Sequence, residues 1–175
     1  MSEPLPPVFA DWFAARGWTL HPHQSDVLAA ARAGRSALVI APTGGGKTLA
    51  GFLPSLVELA DATDRPCPHT LYISPLKALA TDIARNLATP VREMSLDVRV
   101  ETRTGDTPQN RRQRQRKHPP HILLTTPESL ALLLAYPDAG DYFAGLQRVV
   151  VDELHALVPN KRGQLLGLGI ARLRR

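Results

Sequence analysis

Short apolar runs recur along the chain and are separated by longer segments of helix-forming composition. Most of these runs hold consecutive hydrophobic residues instead of alternating them with polar ones, which is typical of strands buried on both faces. The pattern predicts strands at Ser36–Ile40, Thr70–Ser74, Val98–Glu101, His121–Thr125 and Arg148–Asp152.

The segments between the apolar runs predict helices. Gly34 is a good residue to end the first helix, and we expect Pro54 to kink or divide the second. Thr107 and Pro108 fit the N-cap and first residue of a polar helix. The predicted helices span Gln24–Ala33, Lys47–Ala60, Leu76–Leu87, Pro108–Lys117, Pro127–Ala135 and Gly163–Arg175.

Strands and helices that alternate in this way imply a parallel sheet, because parallel neighbours need a crossover connection. We therefore predict an α/β fold, a three-layer α-β-α sandwich with a mainly parallel sheet. Such sheets bind ligands at the carboxyl ends of their strands, so the residues that follow each strand are the candidates for chemistry.

Composition narrows the class of protein. With 43% hydrophobic and 21% charged residues, the chain of 175 residues is neither a disordered tail, nor a collagen-like fibre, nor a coiled coil. The single cysteine, Cys67, excludes an internal disulfide framework and a cysteine-based zinc site, so we expect a cytoplasmic protein. The net charge of +5 is compatible with a polyanionic partner but does not by itself indicate one.

A glycine-rich sequence, APTGGGKT, follows the first predicted strand and opens the next helix. It differs from the P-loop pattern G-x-x-x-x-G-K-[ST] only in having Ala41 as its first residue. Glycines let successive N–H groups surround a phosphate, and the helix N-terminus adds positive potential. A glycine-rich turn without a ligand is the alternative, which the intact GKT ending disfavours. The residues expected to bind the nucleotide are Thr43, Gly44, Gly45, Gly46, Lys47 and Thr48.

Two carboxylates, Asp152 and Glu153, end the last predicted strand. In a Walker B site one carboxylate holds Mg²⁺ and a second orients the attacking water, and these residues fit the two roles. Thr48 is the second expected Mg²⁺ ligand, and Lys47 is expected to reach the β- and γ-phosphates. Alone, the acidic pair would be read as capping or solvated residues, but the glycine-rich sequence upstream favours catalysis.

Six features occur in the order of the superfamily 2 helicase motifs: Gln24, APTGGGKT, SPLKAL, TGDT, TTPES and VDELH. The chain resembles the first RecA-like domain of a DExH-box helicase. SPLKAL, TGDT, TTPES and DELHAL are similar to Lhr-type helicases, and DIARNL and HPHQ are most similar to the bacterial ligase-associated DNA helicases. The implied organisation is a segment at 1–20 leading into the Q motif, and a C-terminally truncated RecA-like domain at 21–175.

The resemblance implies ATP and Mg²⁺ as cofactors. Gln24 matches the glutamine that reads the adenine edge, and His155 is implied as a coupling residue. An aromatic residue is implied to stack on the base, and the sequence does not choose among Phe9, Phe13 and Trp18.

Three of the motifs are implied to grip the DNA backbone without reading bases. The alternative is that Ser74-Pro75 and Thr126-Pro127 are only helix caps followed by proline, and one residue can serve both roles. The implied DNA-binding residues are Ser74, Pro75, Leu76, Lys77, Thr104, Gly105, Asp106, Thr125, Thr126 and Pro127.

A basic run at 111–118 carries five lysine and arginine residues with no aromatic residue among them. This composition is more typical of a solvated helix face than of a nucleic-acid surface. Arg111, which is close to TGDT, is the candidate in this run for a DNA contact.

The resemblance implies an ATP-dependent 3′-to-5′ DNA helicase of DNA repair, in the bacterial cytoplasm and associated with the nucleoid. Its implied partners are single-stranded DNA or DNA with a 3′ tail, the second RecA-like domain of the same protein, and a DNA ligase and nuclease. Because the later motifs do not follow VDELH, we expect the chain to bind ATP but not to unwind DNA alone. The alternatives are an RNA helicase of the same superfamily, a nucleotide kinase, and a non-enzymatic nucleic-acid-binding module.

Overall fold

The computed structural model describes residues 4–42, 44–65 and 67–174, which contain nine helices and four strands. The helices are α1 (Pro7–Ala14), α2 (Pro22–Arg32), α3 (Lys47–Asp61), α4 (Lys77–Glu93), α5 (Gln109–Lys117), α6 (Pro127–Leu134), α7 (Ala139–Tyr142), α8 (Leu154–Leu157) and α9 (Lys161–Leu173). The strands are β1 (Thr70–Ile73), β2 (Val100–Arg103), β3 (Ile122–Thr125) and β4 (Arg148–Val151). None of the helices in these ranges is both long and apolar enough to cross a membrane.

The chain divides into two compact units. The helical unit comprises Met1–Thr63 and Pro90–Asp97, and the sheet unit comprises Asp64–Thr89 and Val98–Arg175. In the helical unit α2 packs against α3, and α2 ends as predicted, with Gly34 in the left-handed region at φ +64°. Helix α3 runs through Pro54 without a break, so the prediction that this proline divides the helix is wrong.

The sheet unit holds a four-stranded sheet in the order β2-β3-β1-β4, and all its strand pairs are parallel. Ile73 is in register with both Thr125 and Val151, and Thr125 with Arg103, so the four carboxyl ends lie at one edge. The predicted parallel sheet is confirmed. Its central strands β1 and β3 are wholly buried, and their side chains form a core with residues of α6 and α9, which pack together.

The strand predicted at Ser36–Ile40 does not form, and this prediction is wrong. Residues 35–42 have no regular secondary structure, and the side chains of Leu38 and Ile40 are 73% and 87% exposed. An apolar run becomes a strand only when a neighbouring strand supplies its hydrogen bonds, so pairing overrides local propensity. Within the described ranges this segment pairs with no strand.

The other four predicted strands form, with ends shifted by no more than two residues. Among the helices, α4 ends six residues later than predicted, because it continues past Pro90 to Glu93. The sequence does not predict helix α1, because this part of the chain is rich in proline. The one proline inside α1 is Pro7, and a helix accepts proline as its first residue. The last helix ends at Leu173, and the predicted end at Arg175 lies outside the described residues.

Two glycines of α9 are expected to respond in opposite ways to alanine. A Cβ atom at Gly163 would lie 2.9 Å from the Leu157 carbonyl carbon and closer still to its oxygen, so backbone must move. We expect Gly163→Ala to lower the free energy of unfolding by about 1–3 kcal/mol. Gly167→Ala, whose Cβ would meet nothing within 4 Å, is expected to raise it by up to about 1 kcal/mol.

Urea denaturation followed by circular dichroism measures both changes. Equal unfolding midpoints for the two variants would contradict the close approach of Gly163 to Leu157.

Candidate functional site

The glycine-rich sequence lies in the helical unit and leads into α3 through Gly46. This residue is the N-cap of α3 and has a left-handed backbone, with φ at +73°. A Cβ atom there would lie 2.5 Å from Nε2 of Gln24. Both the conformation and the close approach therefore require glycine at this position.

Gln24 connects α2 to this loop. Its Nε2 atom donates to the Gly46 carbonyl at 3.2 Å, and its Oε1 atom accepts from the backbone N–H of His21 at 3.0 Å. The side chain is only 2% exposed. An amide group has two donor hydrogens and two acceptor lone pairs, so each end keeps one further hydrogen-bonding position.

The other predicted phosphate-binding residues lie around the same loop. The Nζ atom of Lys47 donates to the Ala41 carbonyl at 2.7 Å, which brings the two ends of the loop together. Gly45 donates its N–H to the Pro42 carbonyl at 3.0 Å, and Thr48 is exposed. Gly44 has a left-handed backbone, and Thr43 lies outside the described residues.

The three aromatic candidates for base stacking differ in exposure. Phe9 and Phe13 are buried, whereas Trp18 is 54% exposed and makes an edge-to-face contact with Trp12 at 5.6 Å. Of the three, Trp18 alone presents a ring to the surface.

In the sheet unit, two hydrogen bonds fix the carboxylate of Asp152. The hydroxyl of Tyr72 donates to Oδ2, and the backbone N–H of Glu153 donates to Oδ1 at 2.9 Å. Burial, together with the hydrogen bond to Asp152, raises the pKa of Tyr72 far above its ordinary value, so this hydroxyl stays protonated and donates. Sequence reasoning missed Tyr72, because nothing in an apolar strand signals where a hydroxyl will point.

Glu153 has a left-handed backbone, with φ at +48°. For a residue other than glycine this conformation costs about 1–2 kcal/mol, and such strain concentrates at functional sites. Its carboxylate lies 3.2 Å from Nε2 of the exposed His155, so the predicted coupling residue contacts the predicted water-activating residue.

The oxygen atoms of Asp152 and Thr48 suit Mg²⁺, which prefers hard oxygen ligands and takes few of them from the protein. In the part of the chain that the structure describes, no group of three or more His, Cys, Asp or Glu side chains is placed to hold a metal.

The three motifs implied to bind DNA follow β1, β2 and β3 at the carboxyl edge of the sheet. The hydroxyl of Thr126 caps α6 by accepting from the Ser129 N–H at 3.4 Å, which confirms the predicted cap with Pro127 as first residue. Ser74 accepts instead from the Leu76 N–H at 3.3 Å, and Thr107 from the Thr104 N–H at 2.9 Å. These two form turns, so the predicted cap at Thr107 and the alternative of a helix cap at Ser74 are both wrong.

Only part of this edge is accessible. Among the ten residues implied to bind DNA, Ser74, Pro75, Thr104, Thr125, Thr126 and Pro127 are buried, and Leu76, Lys77, Gly105 and Asp106 are exposed. Lys77 and Asp106 form an ion pair at 2.8 Å that connects the SPLKAL and TGDT motifs. An exposed pair of this kind contributes little to stability, so a phosphate can displace it.

Most of the basic run is paired within the sheet unit. Arg111 and Arg114 lie 3.3 and 2.7 Å from Glu101, and Arg116 pairs with Asp138 at 2.6 Å. Burial acts to raise the pKa of Glu101, but hydrogen bonds from Gln115, Arg114 and Arg111 together lower it below its ordinary value. Arg111, the predicted DNA contact, is thus bound to a carboxylate of its own chain.

A family model described as DEAD/DEAH box helicase matches residues 21–175. ATP-dependent helicase Lhr-Core of Methanocaldococcus jannaschii is 42% identical over 181 residues, which cover 94% of this chain and 21% of the relative. The chain spans about a fifth or less of the length of the first curated relatives it matches.

Comparison with solved structures also shows similarity to helicases. The structure of Mycobacterium smegmatis helicase Lhr bound to ssDNA and AMP-PNP has a TM-score of 0.89 and 40% identity, over 97% of this chain and 23% of that one. The DUF1998 helicase MrfA bound to DNA has a TM-score of 0.85 and 30% identity, over 99% and 25% of the two chains. The RecA-like α/β fold predicted from the sequence is confirmed.

Proposed function

Because the chain belongs to the DEAD/DEAH box helicase family, we propose that it is the first ATP-binding domain of an ATP-dependent DNA helicase or translocase. The observation that carries this proposal is the left-handed Gly46, which Gln24 contacts at the start of a helix that begins with Lys47 and Thr48. A loop of this kind directs backbone N–H groups at a phosphate chain.

In this proposal the loop glycines and Lys47 bind the phosphates of ATP, and Trp18 stacks on the base that Gln24 recognises. Mg²⁺, held by Asp152 and Thr48, would neutralise charge on the β- and γ-phosphates. Glu153 orients a water molecule and takes its proton as the water oxygen bonds to the γ-phosphorus, and the bond to the ADP oxygen breaks. Tyr72 keeps the Asp152 carboxylate in a fixed orientation.

The exposed residues of the SPLKAL and TGDT motifs, with the helix N-terminus at Thr126, hold the phosphates of a single strand. The relatives named above as DNA-bound helicases support DNA as the polymer. By resemblance we propose 3′-to-5′ movement in DNA repair, in the bacterial cytoplasm at the nucleoid. A second RecA-like domain, a DNA ligase and a nuclease are the proposed protein partners.

ATP turnover by the whole protein, with single-stranded DNA or RNA of the same sequence, tests the polymer. We expect DNA to stimulate turnover and RNA to do so far less. Stimulation by RNA alone would replace the DNA helicase with an RNA helicase of the same superfamily. For the 175-residue chain itself we expect ATP binding with little turnover, and failure to bind ATP would contradict the nucleotide site.

A further inference from the structure

We propose that a cleft in the sheet unit, beside the TGDT loop, binds a phosphodiester of the single strand through Arg112 and Arg103, an inference that rests on the proposed function. The cleft lies between β2, α5 and α6 and has a volume of about 330 Å³. We call it the arginine cleft. Its lining includes Arg103, Thr104, Arg112, Ser129, Leu132 and Tyr136.

Arg103 contributes a buried charge to the arginine cleft. It is 4% exposed, and its Nη1 atom donates to the neutral carbonyl of Arg112 at 3.0 Å. Within residues 4–42, 44–65 and 67–174 it makes no ion pair with a carboxylate, and the charged groups around it, Arg112 and Arg116, are also cationic. A buried cation without an acidic partner is unfavourable, and an anion in the cleft relieves this.

Arg112 has donors left over for that anion. Its Nη2 atom donates to the carbonyls of Gly105 at 2.6 Å and Thr104 at 3.3 Å, while its Nε atom is buried with no hydrogen-bond partner. A guanidinium presents five N–H groups in a planar fork that matches two oxygens of a phosphate. The hydroxyl of Ser129 accepts from Thr126 at 3.3 Å, so its own proton remains for an acceptor.

Arg112 differs from the other arginines of α5, each of which pairs with a carboxylate. Arg111 and Arg114 both pair with Glu101, and Arg116 pairs with Asp138. Arg112 is thus the one arginine of this helix that pairs with no carboxylate in the described ranges, and it points back to the loop that follows β2. From the sequence alone, the four arginines of α5 are equal candidates for a DNA contact, or Arg111 is the favoured one.

The apolar wall of the arginine cleft favours a nucleic-acid backbone over a free phosphate. Leu132 is exposed at its rim, and the ring of Tyr136 stacks against the Arg116 guanidinium at 4.0 Å. A sugar beside the bound phosphate can pack on these apolar surfaces, whereas inorganic phosphate gains nothing from them.

The test compares Arg112→Gln with Arg114→Gln in the whole protein. Fluorescence anisotropy of a labelled single-stranded oligonucleotide gives the affinity over a range of salt concentrations. We expect Arg112→Gln to weaken binding by about 10-fold or more, and to reduce the salt slope by about 0.7, the value for one phosphate of a single strand. Arg114→Gln should change the affinity less than about twofold, because that side chain already pairs with a carboxylate of its own chain, Glu101.

A second pair of variants keeps the test independent of folding. Leu132 and Leu168 are both exposed leucines, on α6 and α9, so glutamate is tolerated at either position. Leu132→Glu places a carboxylate beside the two arginines and should weaken oligonucleotide binding, while Leu168→Glu serves as the control with equal charge. Equal affinities in both the arginine pair and the leucine pair would overturn the inference.

Two further outcomes separate the possibilities. If Arg112→Gln loses affinity for inorganic phosphate but keeps its affinity for the oligonucleotide, the cleft binds a free anion and the inference is wrong. If the unaltered protein binds ATP but no nucleic acid, the proposed function fails as well. If DNA stimulates turnover equally in Arg112→Gln and in the unaltered protein, the inference about the arginine cleft is wrong but the proposed function stands.

Discussion

Replacing Glu153 with glutamine is expected to abolish ATP turnover and to leave ATP binding nearly unchanged. Glutamine has the size of glutamate and can still orient water, but it cannot accept the proton of the attacking water. Loss of a general base typically lowers the rate by about 10²–10⁴-fold. Glutamine is a more informative substitution here than alanine, because it keeps the length of the side chain on the same left-handed backbone.

The measurement is steady-state phosphate release by the whole protein beside equilibrium binding of a fluorescent ATP analogue. Asp138→Asn is the matched control, since within the described residues this exposed carboxylate pairs with Arg116 alone and should not affect turnover. Near-normal turnover in Glu153→Gln would remove Glu153 from its catalytic role. Loss of binding together with turnover would mean that the residue supports the fold of the site.

The sequence predicts the sheet better than it predicts what surrounds it. Apolar runs predict the ends of β1, β3 and β4 to within one residue, because consecutive apolar residues are typical of a strand that is buried on both faces. The same kind of run at Ser36–Ile40 does not form a strand, since pairing depends on distant residues that a local pattern does not include.

Local rules also fail where a hydroxyl has two acceptable partners. Thr126 caps its helix as predicted, but Ser74 and Thr107 close turns ahead of their helices. Serine and threonine favour caps and turns for the same reason, so composition does not decide between them.

The charged residues of the site depend on tertiary structure in the same way. A run of basic residues does not reveal that Glu101 lies on the neighbouring strand β2 and pairs with two of them. That Arg112 pairs with no carboxylate in the described ranges can be recognised only once the positions of Glu101 and Asp138 are known. The contacts of Gln24 with Gly46 and of Tyr72 with Asp152 likewise join residues far apart in the chain.

Replacing Lys47 with alanine is expected to weaken ATP binding and also to abolish turnover. The Nζ atom donates to Ala41 across the glycine-rich loop, so the variant loses both a charge for the phosphates and a bond that connects the loop ends. A charge-assisted hydrogen bond is worth about 1.5–3 kcal/mol, which corresponds to roughly 10- to 150-fold in affinity.

Equilibrium binding of the ATP analogue and phosphate release measure both effects, with Lys161→Ala as the control because that lysine lies on α9, in the other unit. The pair of variants discriminates more than either alone: Glu153→Gln should separate binding from turnover, and Lys47→Ala should lower both. If Lys47→Ala binds ATP as tightly as the unaltered chain, the loop is a structural turn and the nucleotide site lies elsewhere. If Lys47→Ala lowers both ATP binding and turnover while Glu153→Gln lowers turnover without affecting binding, Lys47 binds phosphate and Glu153 acts as the base.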